Sequence, residues 1–411
     1  MRPGDVRITG MPMDGVALRT EARALQPRTV ALRRALHRFP ELGLDLPRTR
    51  DAVMAALSDL PLQVHLGHSV SSVVAVLEGR RPGPTVLLRG DMDALPMQED
   101  TGLEYASAVA GAMHACGHDT HVAMLASAAR LLAGRRDAFA GRVLFMFQPG
   151  EEGHHGARYM IDEGLLDRTG PAGRPDAAFA LHISSTVPSG EIHTRPGPVM
   201  AAADVVRVTV RGRGGHASAP HDALDPVPAT AAMVGALQTA LTRRIDAHHP
   251  AVLTIAHISA GTTDNVIPET AFMEGTLRTL SEATRTQMHE EIHRVCRHTA
   301  LAHGCTADVV IDAGYPVTVN DPGAAERLEA VTDATLGPGR TMSMATPIMG
   351  AEDFSYVLAE VPGALAFLGG CPPGVRPHDA APNHSNRVIF DEAAMASGVA
   401  VYAGLALDAL A

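Results

Sequence analysis

The chain has 411 residues, 46% hydrophobic and 19% charged, which is enough apolar material for a large core and excludes global disorder. At about 150 residues per domain, that length suits two or three domains. A balance of 34 Lys and Arg against 45 Asp and Glu, a formal charge of -11, argues against a general polyanion binder, and four cysteines do not make a disulfide scaffold. The opening MRPGDVRITGMPMDG lacks an apolar core of signal-peptide length, and no run of about 20 uninterrupted apolar residues follows. We therefore expect a soluble, cytoplasmic protein with no membrane partner. Without an organised basic and aromatic surface signal, no nucleic-acid partner is expected either.

Residues 1–25 have weak periodicity and read as a loose tail. TVALRRALHRFPELG carries Val30, Leu32, Leu36 and Phe39 at helical spacing and ends at Pro40. A second helix is expected over 50–60. β-branched or apolar runs at 71–77, 85–88, 142–147 and 177–183 read as strands, with a helix over 121–132. Strands separated by helices favour an α/β domain around a mainly parallel, buried sheet. Near residue 200 the texture changes. VVRVTVRG, a helix over 225–241, VLTIAHIS, AFMEGTLRTL, a helix over 284–302 and TADVVID run strand–helix–strand–strand–helix–strand. That is the split βαβ order of a compact α+β unit. The expected organisation is a larger domain of residues 26–200 and 319–411, interrupted by a smaller inserted domain at 201–318. The final helix, over 392–410, is apolar enough to suggest a membrane, but Asp408 and its length favour burial.

The densest chemical cluster is MHACGHDTH, with His114, Cys116, His118, Asp119 and His121 in nine positions. Thiolate and imidazole suit zinc or another borderline transition metal. A polar approach to a helix, capped by Asp119, is the alternative. FMFQPGEEGHHG follows a strand with Glu151 and Glu152, adjacent acids whose side chains diverge and can serve a metal and a water separately, or form a solvated acidic turn. AFALHISS places His182 at a strand end, as a functional group or a satisfied core histidine, and APNHSNRVIF puts His384 in a polar turn as a candidate ligand. Cys116, His118, Glu152, His182 and His384 exceed the four ligands of a closed tetrahedral site and can hold a binuclear centre. Asp91 and Asp93, in GDMDALP, can orient histidines from behind or cap a turn. RGRGGHASAP lacks a phosphate-loop pattern; its glycines read as a tight turn exposing His216. Asn265 and Arg278 can hold a carbonyl oxygen and pair with a substrate carboxylate, or serve as surface polar groups.

RRALHRFPELG, GDMDALP, MHACGHD, QPGEEG, the LH at 181–182, GRGGHASAP, NVIPE, GTLRT, GAEDF and NHS together resemble the M20 metallopeptidase superfamily, in its aminoacylase, hippurate hydrolase and auxin-conjugate hydrolase branch. The resemblance spans about residues 28–400 in one order. It implies two divalent metals per subunit, drawn from zinc, manganese, cobalt or nickel, held in the larger domain by Cys116, His118, Glu152, His182 and His384. It implies Glu151 as general acid/base, Asp93 in the catalytic group, and His216 as a stabiliser of the tetrahedral intermediate, often in a partner's site. Asn265 and Arg278 match substrate contacts. Glu352 falls in the GxEDF-like string without a role we can derive. The inserted domain is implied to act as a lid and to form a homodimer. LDLPRT, with Leu46 and Pro47, departs from the acidic residue frequent in the family there, and the cysteine separates the chain from relatives with all-carboxylate-and-histidine sites.

The expected function is metal-dependent hydrolysis of the amide bond of an N-acyl amino acid, without an organic cofactor. A carboxypeptidase or dipeptidase is the alternative enzyme, and a non-catalytic binding protein on a degenerate hydrolase fold is the alternative of another class.

Overall fold

A computed structural model describes residues 14–167 and 174–411. Their contacts divide into two compact units. One runs to Gly197 and resumes over Val319–Ala345 and Tyr356–Ala411; the other comprises Pro198–Thr318 and Thr346–Ser355.

The first unit is built on an eight-stranded sheet. Its strands are β1 (Gln63–Leu66), β2 (Val73–Glu78), β3 (Thr85–Asp91), β4 (Arg142–Gln148), β5 (Ala177–Ser184) and β6 (Ile192–Thr194), and the chain returns to add two more, Thr341–Ser343 and Gly363–Gly369. Across the sheet the order is β1, β2, β4, β3, β5, Gly363–Gly369, β6, Thr341–Ser343. The four central strands β4, β3, β5 and Gly363–Gly369 are mutually parallel, whereas β1, β2 and β6 pair antiparallel toward the edges. Every residue of β3 is buried, as expected of a strand covered on both faces.

Helices α1 (Gly15–Arg38), α2 (Pro47–Leu57) and α3 (His118–Ala133) precede or interleave the strands. α3 and the final helix, Ala394–Ala409, pack on β3 and β5, and α1 packs on both helices. The apolar final helix is thus core: Met395, Val399, Tyr402 and Leu405 are fully buried. No described helix is long and apolar enough to cross a membrane.

The start of α1 corrects the expected tail. Asp14 accepts the Ala17 N–H at 3.0 Å, and Leu18 and Ala22 enter the core, so residues 15–25 are the first turns of a packed helix. Residues 1–13 of that tail lie outside the described residues.

In the second unit, Ala202–Arg211, Ala251–Ala260, Thr270–Thr279 and Thr306–Ala313 form an antiparallel sheet. Ala251–Ala260 lies at one edge, followed by Thr270–Thr279, Ala202–Arg211 and Thr306–Ala313. Burial alternates strictly along Ala202–Arg211, with Val206, Val208 and Val210 facing a core shared with Met233, Leu237, Met288 and Ile292 of the two helices. Those helices, Pro226–Arg244 and Glu282–Ala302, start where local chemistry dictates: Asp225 accepts from the Val227 N–H and Ser281 from the Thr284 N–H. The segment Thr346–Ser355, expected in the larger domain, belongs here. Ile348 N–H donates to Val199 O at 2.9 Å and Ala201 N–H to Gly350 O at 2.8 Å, pairings between segments about 150 residues apart in the chain.

Candidate metal centre

β3, β4 and β5 are parallel neighbours, so their carboxyl ends share one edge of the sheet, where functional groups collect in such folds. β3 delivers Asp91 and, just beyond it, Asp93. β4 ends at Gln148 and turns through Glu151 and Glu152, and β5 carries His182 near its end. The loop into α3 brings Cys116, and His118 is the first residue of that helix. Between them Gly117 sits at φ 89°, with its Cβ position 2.4 Å from Ile183 Cγ2, so only glycine fits this turn.

Asp93 organises the acid pair. Its two carboxylate oxygens each accept a backbone N–H, from Glu151 and from Glu152, both at 2.9 Å. Its carbonyl oxygen takes the His118 Nδ1–H at 2.8 Å, which leaves His118 Nε2 as the free lone pair. That nitrogen is buried without a hydrogen-bond partner, with Asp91 Oδ2 at 3.3 Å and carboxylate oxygens of Glu151 and Glu152 both at 3.9 Å. Cys116 Sγ lies 3.3 Å from His182 Nε2 and 3.2 Å from His384 Nε2, and His384 Nε2 is 3.3 Å from Glu152 Oε1. His182 donates Nδ1–H to the Ile183 carbonyl at 2.8 Å, so its Nε2 also presents a lone pair. Hydrogen bonds to Cys116 and to Glu152 push His384 up to about 10 despite its partial burial. A cation would relieve that concentration of negative charge.

Among the groups of side chains whose donor atoms lie within 4.8 Å of one another, three are made of the expected ligands and Glu151: Cys116, His118 and His182; Cys116, Glu152 and His384; His118, Glu151 and Glu152. They share members, so the five expected ligand positions and Glu151 form one continuous constellation. The orphaned His118 nitrogen and the soft donor set fit a divalent transition metal.

Two partnerships around this centre were not legible in the sequence. His121 donates Nδ1–H to Asp91 Oδ1 at 2.5 Å and accepts the Ile183 N–H on Nε2 at 2.7 Å, so both nitrogens are occupied and the ring positions rather than ligates. Arg89 pairs with the other oxygen of Asp91 at 2.7 Å. Asp119 does not cap α3, the alternative reading of the cluster. Its Oδ2 accepts from Arg33 Nε at 2.7 Å and from His37 Nδ1 at 2.8 Å, while His37 Nε2 faces Glu99 at 3.3 Å. Burial alone would raise the Asp119 carboxyl, but Arg33 and His37 hold it far below the usual carboxylate range. The RRALH string of α1 therefore braces the helix that starts at His118.

His216, Asn265, Arg278 and Glu352 belong to the second unit. His216 is exposed on a two-residue ladder with Val266, and Asn265 O accepts the Ala217 N–H at 3.0 Å, so Asn265, in the turn just before Val266, lies beside the His216 strand. Ser218 N–H donates to His216 Nδ1 at 3.1 Å. That bond puts the neutral ring's proton on Nε2, making the exposed nitrogen a donor. The glycines ahead of it do not form the expected tight turn: Arg213 bridges to Leu224 and Gly215 begins the short strand that carries His216. Gly212 instead allows close approach, its Cβ position lying 1.9 Å from Leu224 O. Arg278 is half-buried in Thr270–Thr279, between Ala203 and Val252. Glu352 is buried, with Oε1 accepting the Phe354 N–H at 2.8 Å.

The sequence pattern of Peptidase family M20/M25/M40 matches residues 87–408. The chain belongs to this family. It is 37% identical over 400 residues to thermostable carboxypeptidase 1 of Saccharolobus solfataricus, covering 95% of this chain and 97% of that protein. It is 36% identical to the N-acetyl-L-cysteine deacetylase of Bacillus subtilis, covering 84% and 81%. A crystal structure of a dinuclear metal-binding M20 peptidase from Bacillus subtilis superposes with a TM-score of 0.82 at 31% identity, covering 94% of this chain and 99% of that one. This M20 protein is a metal-dependent hydrolase of amide bonds.

Proposed function

We propose that this M20 hydrolase cleaves N-acyl amino acids, hippurate-like or N-acetylated, to a carboxylate and a free amino acid, with two divalent metals per subunit. The observation that carries the reading is the convergence of Cys116, His118, Glu152, His182 and His384 beside a second carboxylate, Glu151, on the same turn. Zinc, manganese, cobalt or nickel suits these donors, and when bound would supply Lewis acidity toward water and the amide carbonyl. Glu151 takes a proton from the attacking water as the new C–O bond forms. It returns that proton to the nitrogen as the C–N bond breaks, so the amine leaves neutral. His216 Nε2–H donates to the developing oxyanion, Asn265 helps hold the carbonyl oxygen, and Arg278 pairs with the substrate carboxylate. Asp93 keeps both glutamates in place through their backbone. Cys116, Cys296, Cys305 and Cys371 are free, which suits a cytoplasmic location.

The second unit is proposed as an inserted lid and homodimer module. Its edge strand Ala251–Ala260 is largely exposed, with Val252 and Ile258 both uncovered. Across such a dimer His216 would serve the partner's site. His216→Ala and Glu151→Gln proteins, each inactive, should then recover activity when mixed under subunit exchange. Random pairing makes about half of the dimers mixed with one working site each, or about a quarter of wild-type activity. No recovery after verified exchange rejects the crossed site.

A carboxypeptidase reading stands second, favoured by the 37% identity to a carboxypeptidase. Comparing kcat/KM for hippurate, N-acetyl amino acids and simple dipeptides on metal-reconstituted protein separates the two. Preference for the dipeptides would overturn the acyl reading. Cys116→Ser should lower metal affinity by about tenfold or more, because a neutral hydroxyl is a poorer ligand than a thiolate. Metal titration checks this; equal affinity would make Cys116 a packed neighbour.

A further inference from the structure

Three of the proposed donors come from segments far apart in the chain: Cys116 from the loop before α3, His182 from β5 and His384 from a turn near the end. One side chain, carried on the last of these segments, bonds the backbone of the other two. Asn383 Nδ2 donates to Cys116 O at 3.0 Å and to Ile183 O at 2.9 Å. Its Oδ1 accepts the Ser185 N–H at 3.1 Å, with Ser185 Oγ at 3.3 Å, and Ser185 Oγ also donates to Ala381 O at 2.7 Å. Both amide hydrogens and the amide oxygen are therefore used. A flipped amide would set its oxygen against two carbonyl oxygens and its NH2 against the Ser185 N–H, so these partners define the orientation.

Each contact lies one bond system away from a donor. Cys116 O belongs to the residue whose Sγ is shared by His182 and His384. Ile183 O also receives the His182 Nδ1–H, the bond that turns the Nε2 lone pair toward Cys116 Sγ. His384, next to Asn383, is in the left-handed region at φ 68°, uncommon for a non-glycine, and its N–H donates to Ala115 O at 2.9 Å. Such a conformation persists only where the surroundings determine it.

We propose that Asn383 is a positioning residue of the metal centre, its amide joining the backbones of Cys116 and Ile183 so that Cys116, His182 and His384 converge on one point. This rests on the ligand reading given above, and the residue acts through the donors without ligating. The bonds it makes are of the outer kind whose loss typically weakens metal binding by about 10- to 100-fold.

The test uses full-length protein and Zn2+ as the probe. Asn383→Asp is nearly isosteric but replaces two donated hydrogens with a charged oxygen facing two carbonyls; Asn383→Ala removes the bonds without that repulsion. Zinc affinity is measured by competition with a chromogenic chelator, alongside urea unfolding of each metal-free protein. The expected result is zinc affinity lowered about 10- to 100-fold in Asn383→Asp, with a smaller loss in Asn383→Ala. Should Asn383→Asp fail to fold, Asn383→Ala decides. Lower stability of the metal-free protein with zinc affinity unchanged would overturn the proposal, since a merely structural role predicts that pattern. Cys116→Ser, measured in parallel, separates the two layers. If it loses zinc affinity and the Asn383 variants do not, the positioning role is wrong and the ligand reading stands; if it binds zinc as wild type, both fall.

Discussion

Glu151→Gln is expected to reduce kcat by about 10²-fold or more while the protein keeps its metal. Glutamine preserves the size of the side chain and cannot accept the proton of the attacking water. The backbone at Glu151 and Glu152 is held by separate oxygens of Asp93, both at 2.9 Å, so the turn should survive the change. Glu152→Gln should behave oppositely, weakening metal retention, because Glu152 Oε1 is the oxygen that meets His384 Nε2 at 3.3 Å and shares a donor group with Cys116. Metal analysis beside kcat distinguishes the two glutamates. A near-normal kcat in metal-matched Glu151→Gln protein would remove Glu151 from the chemistry.

Asp204→Ala should destabilise the protein by roughly 3 kcal/mol at neutral pH, the scale of breaking a buried ion pair from one side. Asp204 is buried in the second unit and accepts from Arg285 Nη2 at 2.6 Å, His289 Nε2 at 2.7 Å and Gly314 N–H at 3.1 Å. Its removal strands a largely buried guanidinium with, among the described residues, only the exposed Glu282 as an ionic partner at 3.2 Å. Urea unfolding monitored at neutral pH measures the loss. Asp204→Ala combined with Arg285→Met should recover much of it, because no uncompensated charge then remains. An unchanged unfolding midpoint in the single variant would show that the cluster contributes nothing.

The same cluster sets a pH dependence. Burial alone would raise the Asp204 carboxyl, but hydrogen bonds from His289 and Arg285 outweigh it and hold the group at about 2. A folded value below the unfolded carboxylate value of about 3.9 means the unfolded chain binds the proton more readily. The contribution is therefore complete above about pH 4 and is lost as pH falls from there through about 2. Acid unfolding of wild type should exceed that of the double variant in steepness over this window.

Local chemistry made much of this protein legible. Continuous apolar runs announced the central strands, because a strand covered on both faces has no polar side to display, and β3 is buried throughout. Asp225 stands at the expected start of its helix and caps it, whereas Ser281 caps a helix that begins ahead of the expected 284, because a capping oxygen acts on backbone two or three residues away. The MHACGHD and QPGEEG strings exposed a concentration of metal donors that no core or surface role demands. Resemblance to a family then turned these donors into a proposed site with roles.

Tertiary structure decided what pairs with what. Asp119 looked like a cap from its place before a helix, yet its carboxylate meets Arg33, 86 residues away, and His37, 82 away. Their place after a strand did not separate Asp91 from Asp93, and only the family resemblance put Asp93 ahead. Packing gave Asp91 to His121 and Arg89, and Asp93 to the glutamate turn. Asn383 drew no attention because an asparagine in a polar turn ordinarily serves its own turn, whereas here it bonds Cys116, 267 residues earlier. Thr346–Ser355 and residues 15–25 were misplaced because their assignment depends on the surface each meets, which periodicity cannot report. A residue's type limits which bonds it can make, and its neighbours along the chain set the local backbone. Only the packed fold determines which distant donor reaches it with water excluded, and that choice sets both charge and tautomer at the site.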